Sequence, residues 1–228
     1  MDYRTMVNPT YLTAKSTLHV LAAMGNTEAK DMMTALGTRD TLTRRNPKNP
    51  QTFLSEEDAK ALMTGVSVAI NARYEALFAR MRKEGTKALL DIACGYTPRG
   101  LYCHRQGIDY VGMDVPLVAE ELREMAKNRG VDITYADGDA TNAASLIAAA
   151  DNLNGKILIS SEGLLSYLSP DEFDQYMDGI KQILKSHGGS WLSSDFSIDY
   201  EAFATACMSG EDAAERYQAP RCQTMKTS

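Results

Sequence analysis

Cysteine is scarce in this chain of 228 residues: Cys94, Cys103, Cys207 and Cys222 are the whole complement, with no CxxC pair among them. No disulfide framework is therefore expected, and the thiols are expected to be reduced. Long apolar runs are missing too. Nothing approaches the roughly 18 residues that announce a membrane span, and the stretch from Met1 to Val20 has no charged start leading into an apolar signal core. No membrane is expected, and the expected compartment is the cytoplasm. Basic charge is not in surplus: 24 Lys and Arg face 30 Asp and Glu, for a net charge of −6 and a pI near 5.2. Such a chain has no basic field to track a phosphate backbone, so no nucleic-acid partner is expected. With 7 prolines, 16 glycines and 44% hydrophobic residues, it is neither disordered nor fibrous, and its length suits one domain with a proper core.

What is present changes character near Lys87. Before it the chain reads as helical: residues 10–37, rich in Ala, Met and Leu, form one or two helices broken near Gly25. Residues 38–52, with Arg44, Arg45, Asn46, Pro47, Asn49 and Pro50, read as a loop. Ser55 then caps a long helix whose acids Glu56, Glu57 and Asp58 suit its positive end. Its apolar residues Ala59, Leu62, Met63, Val66, Ile70, Leu77 and Met81 keep helical spacing as far as Gly85. After Lys87, short apolar strands at 87–92, 109–114, 132–136, 156–160 and 190–195 alternate with helices at 98–106, 116–129, 141–150 and 170–187. Parallel neighbours need long crossovers, so this alternation predicts an α/β fold, a doubly wound and mostly parallel sheet with helices on both faces. Ligands of such sheets bind beyond the carboxyl ends of the strands, where the strand order reverses.

Acids and small residues gather at those ends. The first strand runs through Asp91 into Ala93, Cys94, Gly95, Tyr96, Thr97 and Pro98, where small residues let a ligand press on the backbone and Gly95 can take a positive φ. Pro98 suits a helix start whose amides favour an anionic group; the same segment also reads as a plain tight turn. No glycine lies between Gly95 and Gly100, so the G-x-G-x-x-G dinucleotide fingerprint is absent. Asp114 ends the second strand 19 residues after Gly95, about the interval at which an acid accepts ribose hydroxyls, or simply caps a strand end. Asp139 follows the third strand in Asp137-Gly138-Asp139-Ala140-Thr141, as a helix cap or as an acceptor for an adenine amino group. Glu162 follows the fourth, in Ser161-Glu162-Gly163-Leu164-Leu165-Ser166-Tyr167-Leu168.

Four segments in this order, Asp-Ile-Ala-Cys-Gly, Met-Asp-Val-Pro, Gly-Asp-Ala-Thr and above all Glu-Gly-Leu-Leu-Ser-Tyr-Leu, resemble the leucine carboxyl methyltransferase family. That family includes small-molecule O-methyltransferases of polyketide pathways. The resemblance spans residues 67–195 and implies a Rossmann-like class I methyltransferase fold: an N-terminal helical cap over 1–54 and an S-adenosylmethionine-binding domain over 55–228. It further implies a cofactor set of Arg73, Asp91, Ala93, Gly95, Tyr96, Asp114, Asp139, Ala140 and Glu162, with S-adenosylhomocysteine as product. Within that set Gly95 approaches the methionine portion, Asp114 bonds the ribose, Asp139 and Ala140 lie by the adenine, Glu162 lies near the amino-acid end, and Arg73 pairs with the cofactor carboxylate. Tyr167 is the residue expected to face a small-molecule acceptor. A fork-shaped guanidinium suits a carboxylate, and acids suit a sulfonium and an ammonium.

The chain departs from the family in three places. Where the family turn often continues Leu-Asp-Thr-Arg, this chain has Tyr96-Thr97-Pro98-Arg99, and only Arg99 matches. Ser166 replaces a residue that is commonly apolar. Residues 198–228 show no alternation, so the usual C-terminal antiparallel strands are expected to be absent, truncated, or replaced by a second copy or a partner chain at the sheet edge. Cys94, Cys103 and His104 fall short of a zinc ligand set, and no metal is expected. Met24, Met32, Met33, Met63 and Met81 read as helix core, Trp191 as packed in the fifth strand, and Glu120, Glu121 and Glu124 with Arg123 and Lys127 as a solvated helix face. Two further functional readings remain beside small-molecule O-methylation or carboxyl methylation: a non-catalytic cofactor-binding subunit, and an RNA methyltransferase, which the acidic pI opposes.

Overall fold

The structure, a computed structural model, describes residues 9–38, 45–46, 49–53 and 56–195, with side chains described for 14–38 and 67–195. Ser55, Met63 as a side chain, and residues 198–228 with Cys207 and Cys222 lie outside this range. Helices α1 (Pro9–Ala23) and α2 (Thr27–Ala35) open the chain. The break between them falls at Gly25, with φ of +95°, and the Asn26 side chain accepts the Ala29 amide at 2.8 Å to start α2. Residues 38–52, expected as a loop, instead contain two short strands, β1 (Arg45–Asn46) and β2 (Asn49–Phe53), paired antiparallel. The residues that stop a helix also reverse a hairpin, and Pro50 is tolerated on a strand with a free edge. The long helix α3 (Glu56–Glu84) follows and ends before Gly85, whose φ is +65°.

From there strand and helix alternate: β3 (Ala88–Ile92), α4 (Arg99–Gln106), β4 (Asp109–Asp114), α5 (Pro116–Arg129), β5 (Thr134–Asp137), α6 (Ala143–Ala150), β6 (Ile157–Ser161), α7 (Pro170–His187) and β7 (Gly189–Ser193). Every strand pair in this sheet is parallel, and the order is β5-β4-β3-β6-β7. The fold is thus the Rossmann-like α/β arrangement that the alternation predicts. Its order reverses between β3 and β6, the switch point beyond which the crevice of such sheets lies. Glycines at +63° close α4 at Gly107 and α5 at Gly130, while Ser169 and Glu172 form a reciprocal capping box at the head of α7.

Side-chain parity along the strands makes two cores. Leu89 of β3 and Leu158 of β6 face α1 to α5, packing with Leu18, Leu21, Met32, Tyr74, Leu77, Phe78, Leu101 and Leu122. Leu90, Ile92, Val111, Met113, Ile157 and Ile159 face the other way, against Leu146, Ala149, Tyr176, Ile180 and Ile183 of α6 and α7. Each buried aliphatic side chain of this kind contributes about 1.5 to 3 kcal/mol relative to exposure. Met32 and Met81 are core as expected, whereas Met24 is 46% exposed, because it lies just beyond the end of α1. Trp191 is half-buried on β7, and its indole N–H donates to Ser161 Oγ at 2.9 Å.

The turn from α7 into β7 admits no side chain at Gly189. Its φ is +108°, and a Cβ would sit 1.8 Å from the Ile157 carbonyl oxygen. Gly189→Ala is expected to destabilise the fold by roughly 3 kcal/mol or more, combining backbone strain with a clash against a central strand. Urea denaturation measures this, and a change below about 0.5 kcal/mol would show that the turn yields at little cost.

Candidate functional site

The register of the sheet assembles a charged cluster at the crevice. Asp91 on β3 stands beside Ser160 on β6, and both share the parity that faces α4. Arg99, the first residue of α4, reaches back between them. Its Nη1 donates to Asp91 at 2.9 Å and to Ser160 Oγ at 3.3 Å, and its Nη2 to Glu162 at 2.5 Å. Arg99 is 3% exposed and Asp91 1%. The other Asp91 oxygen accepts from Tyr110 at 3.2 Å and Thr97 at 3.4 Å. Gly112 makes room for the tyrosine: a Cβ there would stand 2.8 Å from the Tyr110 hydroxyl.

These contacts set the charge states. Burial pushes the Asp91 carboxyl up, and the Arg99 guanidinium pulls it back. Burial works to lower the Arg99 value, but the charges of Asp91 and Glu162 overcome it, so the guanidinium stays protonated. Burial, with the charges of Asp114 and Asp91, drives the Cys94 thiol well above its ordinary range. Cys94 is therefore a neutral packing group and not a nucleophile.

The turn after β3 carries two left-handed residues, Ala93 and Gly95, each with φ of +53°. For Ala93 that conformation costs roughly 1 to 2 kcal/mol, a strain held at the mouth of the crevice. Asp114, at the end of β4, secures the turn by accepting the Gly95 amide at 2.7 Å and the Val115 amide at 2.8 Å. Burial raises the Asp114 carboxyl, these two amides lower it, and the net shift is upward. Ala14 of α1 approaches from above, 3.4 Å from where a Gly95 Cβ would stand. The Tyr96 ring turns away, fully buried, and its hydroxyl donates to Glu121 at 2.6 Å. Lys15 pairs with the same carboxylate at 3.3 Å and lies 4.7 Å over the Tyr96 ring. Glu121 is thus not part of a solvated face: it ties α1 to the turn.

The remaining expected residues occupy several surroundings. The Gly138 amide donates to the Asp114 carbonyl at 3.0 Å, which sets the β5 end beside the β4 end. Asp139 is exposed, and its Oδ1 closes a turn on Thr141, at 2.8 Å to the amide and 2.7 Å to the hydroxyl. The cap of α6 is Asn142, which accepts the Ala144 and Ser145 amides, so the reading of Asp139 as that cap is corrected: α6 begins two residues later than expected. Ala140 is half-buried against the α6–α7 core. Arg73 is half-buried on α3 and forms no ion pair with another described residue. Tyr167 is 54% exposed on the short turn Leu165–Tyr167 that follows β6.

Sequence reading named Arg99 only as a match in the turn and passed over Ser160, Tyr110 and Asp195. Strand parity alone would place Asp91, Tyr110 and Ser160 on one face; the reach of Arg99 needs the fold. Asp195, 9% exposed just past β7, accepts the Gly163 amide at 2.7 Å and the Leu164 and Leu165 amides at 2.9 Å each. It therefore fixes the segment that carries Glu162 at one end and Tyr167 at the other. A separate cavity of about 310 Å³, lined by Phe78, Gly85, Lys87 and Ile108 among others, lies at the amino ends of β3 and β4, away from these acids. Among the described residues no cluster of His, Cys, Asp or Glu could hold a metal ion, and no helix is long and apolar enough to cross a membrane.

No family model matches the chain, and no curated protein sequence matches it. Solved structures do. One concerns the conversion of a disulfide bond into a thioacetal group during echinomycin biosynthesis: 21% identity over 47% of this chain and 45% of that one, with a TM-score of 0.38. The PH0226 protein of Pyrococcus horikoshii OT3 shares 19% identity over 53% of this chain and 57% of its own, at 0.39. A SAM-dependent methyltransferase from Archaeoglobus fulgidus shares 18% over 52% and 49%, at 0.32. The chain thus spans about half the length of the structures it matches. A likeness of that extent carries no functional weight.

Asp195→Ala leaves three backbone amides without their acceptor. It is expected to destabilise the protein by about 2 to 3 kcal/mol and to speed hydrogen exchange at Gly163, Leu164 and Leu165. Exchange rates unchanged from wild type would mean that the segment holds itself in place without Asp195.

Proposed function

We propose that this chain is an S-adenosylmethionine-dependent methyltransferase acting on a small-molecule hydroxyl or carboxylate. The observation that carries the reading is Asp114: a partly buried carboxylate at the end of the strand next to the switch point, which fixes the small-residue turn through Gly95. Such an acid, beside backbone that a ligand can approach closely, is the arrangement that holds the ribose of an adenosine cofactor. The fit extends to the other groups. Glu162 offers a carboxylate to an ammonium, Asp139 and Ala140 follow the next strand end, and Arg73 offers a guanidinium to a carboxylate. The left-handed pair Ala93 and Gly95 keeps side-chain bulk out of the crevice mouth.

When bound, the cofactor supplies a methyl group on a sulfonium, open to direct displacement. The chain's own residues bind and orient. Asp114 accepts from the sugar hydroxyls while keeping the turn closed through Gly95 and Val115. Glu162, held by Arg99, fixes the amino-acid end, and α1, tied down by Lys15 and Glu121, covers the turn. Placement at near-attack distance is then the main contribution to rate. A carboxylate acceptor needs no general base at neutral pH, and Tyr167 is positioned on the exposed side of the segment after β6 to meet an acceptor.

Calorimetric titration with S-adenosylmethionine and S-adenosylhomocysteine tests the reading. Micromolar binding is expected, and Asp114→Ala should weaken it by about 1.5 to 3 kcal/mol, the scale of charged hydrogen bonds. A folded wild-type chain that binds neither ligand would sink it. The pH dependence carries a further sign. The Asp114 value is raised, so affinity should hold near neutrality and fall as pH drops through a value above that of an ordinary aspartate, because protonation removes an acceptor. Asp114→Asn should bind weakly with that pH dependence flattened, as measured by titration at a series of pH values.

A further inference from the structure

We infer that Arg99 is the positioning residue of the amino-acid end of the crevice: it holds Glu162 at the angle required to receive an ammonium, and it acts through Glu162 without touching the ligand. The inference rests on the cofactor reading above and adds a division of labour within the site. The outer edge of Arg99 is occupied, and its Nε is buried without a hydrogen-bond partner. Its two terminal nitrogens are engaged by Asp91, Ser160 and Glu162, and at 3% exposure it is closed off from the crevice. A cofactor carboxylate therefore has to find another cation; two described arginines, Arg73 and Arg82, form no ion pair among the described residues, and Arg82 lines the cavity at the amino ends of β3 and β4, which leaves Arg73. Glu162 is different. It is 17% exposed and is gripped through Oε2, which leaves its other oxygen for a ligand. The grip spans the reversal in strand order, because Asp91 belongs to β3 while Ser160 belongs to β6 and Glu162 follows its last residue. One planar fork locks both strand ends, a task that an ammonium on a flexible stem cannot perform.

The adenosine half of the crevice is held by a separate set of contacts. Asp114 is braced by Gly95, Val115 and the Gly138 amide on its carbonyl, with no bond to Arg99. Loss of the grip should therefore harm ligands that carry the amino-acid chain and spare those that lack it. A general loss of structure would harm both alike.

The experiment compares S-adenosylhomocysteine with 5′-methylthioadenosine, which has no amino-acid end, by calorimetry on wild type and Arg99→Lys, with a thermal melt of each protein. Roughly tenfold weaker binding of S-adenosylhomocysteine is expected in the variant, the size of one charged hydrogen bond, with 5′-methylthioadenosine unchanged within about twofold. Equal weakening of both ligands, or of neither, overturns the inference. Should Arg99→Lys not fold, Asp91→Asn combined with Arg99→Met removes both buried charges together and keeps an acceptor for Tyr110; the same split is expected there. Wild type binding 5′-methylthioadenosine but not S-adenosylhomocysteine would overturn this inference and leave the adenosine site standing. Wild type binding neither would bring down the cofactor reading and this inference with it.

Discussion

A guanidinium withdrawn from water sits at the centre of this fold. Taking a charge into the interior costs several kcal/mol, repaid only where partners satisfy it closely. Arg99 meets that condition at its two terminal nitrogens, with Asp91 on one strand, Glu162 past the end of another, and the Ser160 hydroxyl between them, while its Nε is buried without a partner. The two strands are neighbours because the chain winds out from β3 to β5 on one side and returns on the other to β6. Without that winding, the carboxylates would have no shared cation. Without the cation, two acids would face each other across the crevice in a dry setting that neither tolerates alone.

The arrangement around it follows from simple geometric demands. Alternation along a strand puts Leu89 and Asp91 on the same face, so the second residue after the core leucine is carried to the side of the sheet that α1 to α5 cover. Gly112 yields space to the Tyr110 hydroxyl, which reaches Asp91 across the strand pair. The turn beyond β3 is held in its strained form by a carboxylate from β4, and the segment beyond β6 by one from the end of β7. In both cases an acid at one strand end organises the backbone at its neighbour's. Acids at these ends thus do structural work before any ligand arrives, and the crevice is shaped in advance of its use.

Most of the architecture was legible in the sequence, because the elements after Lys87 are short, apolar and sharply punctuated. Residues 109–114, 116–129 and 170–187 carry their own boundaries in Asp109, Pro116, Pro170 and the glycines that follow. The hairpin at β1 and β2 was hidden, since its Asn and Pro content is equally that of a loop. The start of α6 was misplaced because Asp139 and Asn142 are both good caps, and only the observed bonds separate the turn former from the cap. The acids at the strand ends could be read one by one, but not their partners. Nothing in the local pattern tells Glu121, bonded to Tyr96, from Glu120 and Glu124 on the same helix. Long-range pairs such as Arg99 with Glu162, 63 residues apart, belong to the fold and not to the pattern.

The chain contains one tryptophan, and it stands on β7 with its indole N–H on the hydroxyl of Ser161, the residue immediately before Glu162. An indole's emission depends on the polarity and hydrogen bonding around its ring nitrogen. This protein therefore carries a single built-in optical probe one residue from its acidic crevice. Events at the end of β6 have a spectroscopic voice of their own, with no second tryptophan to blur the signal.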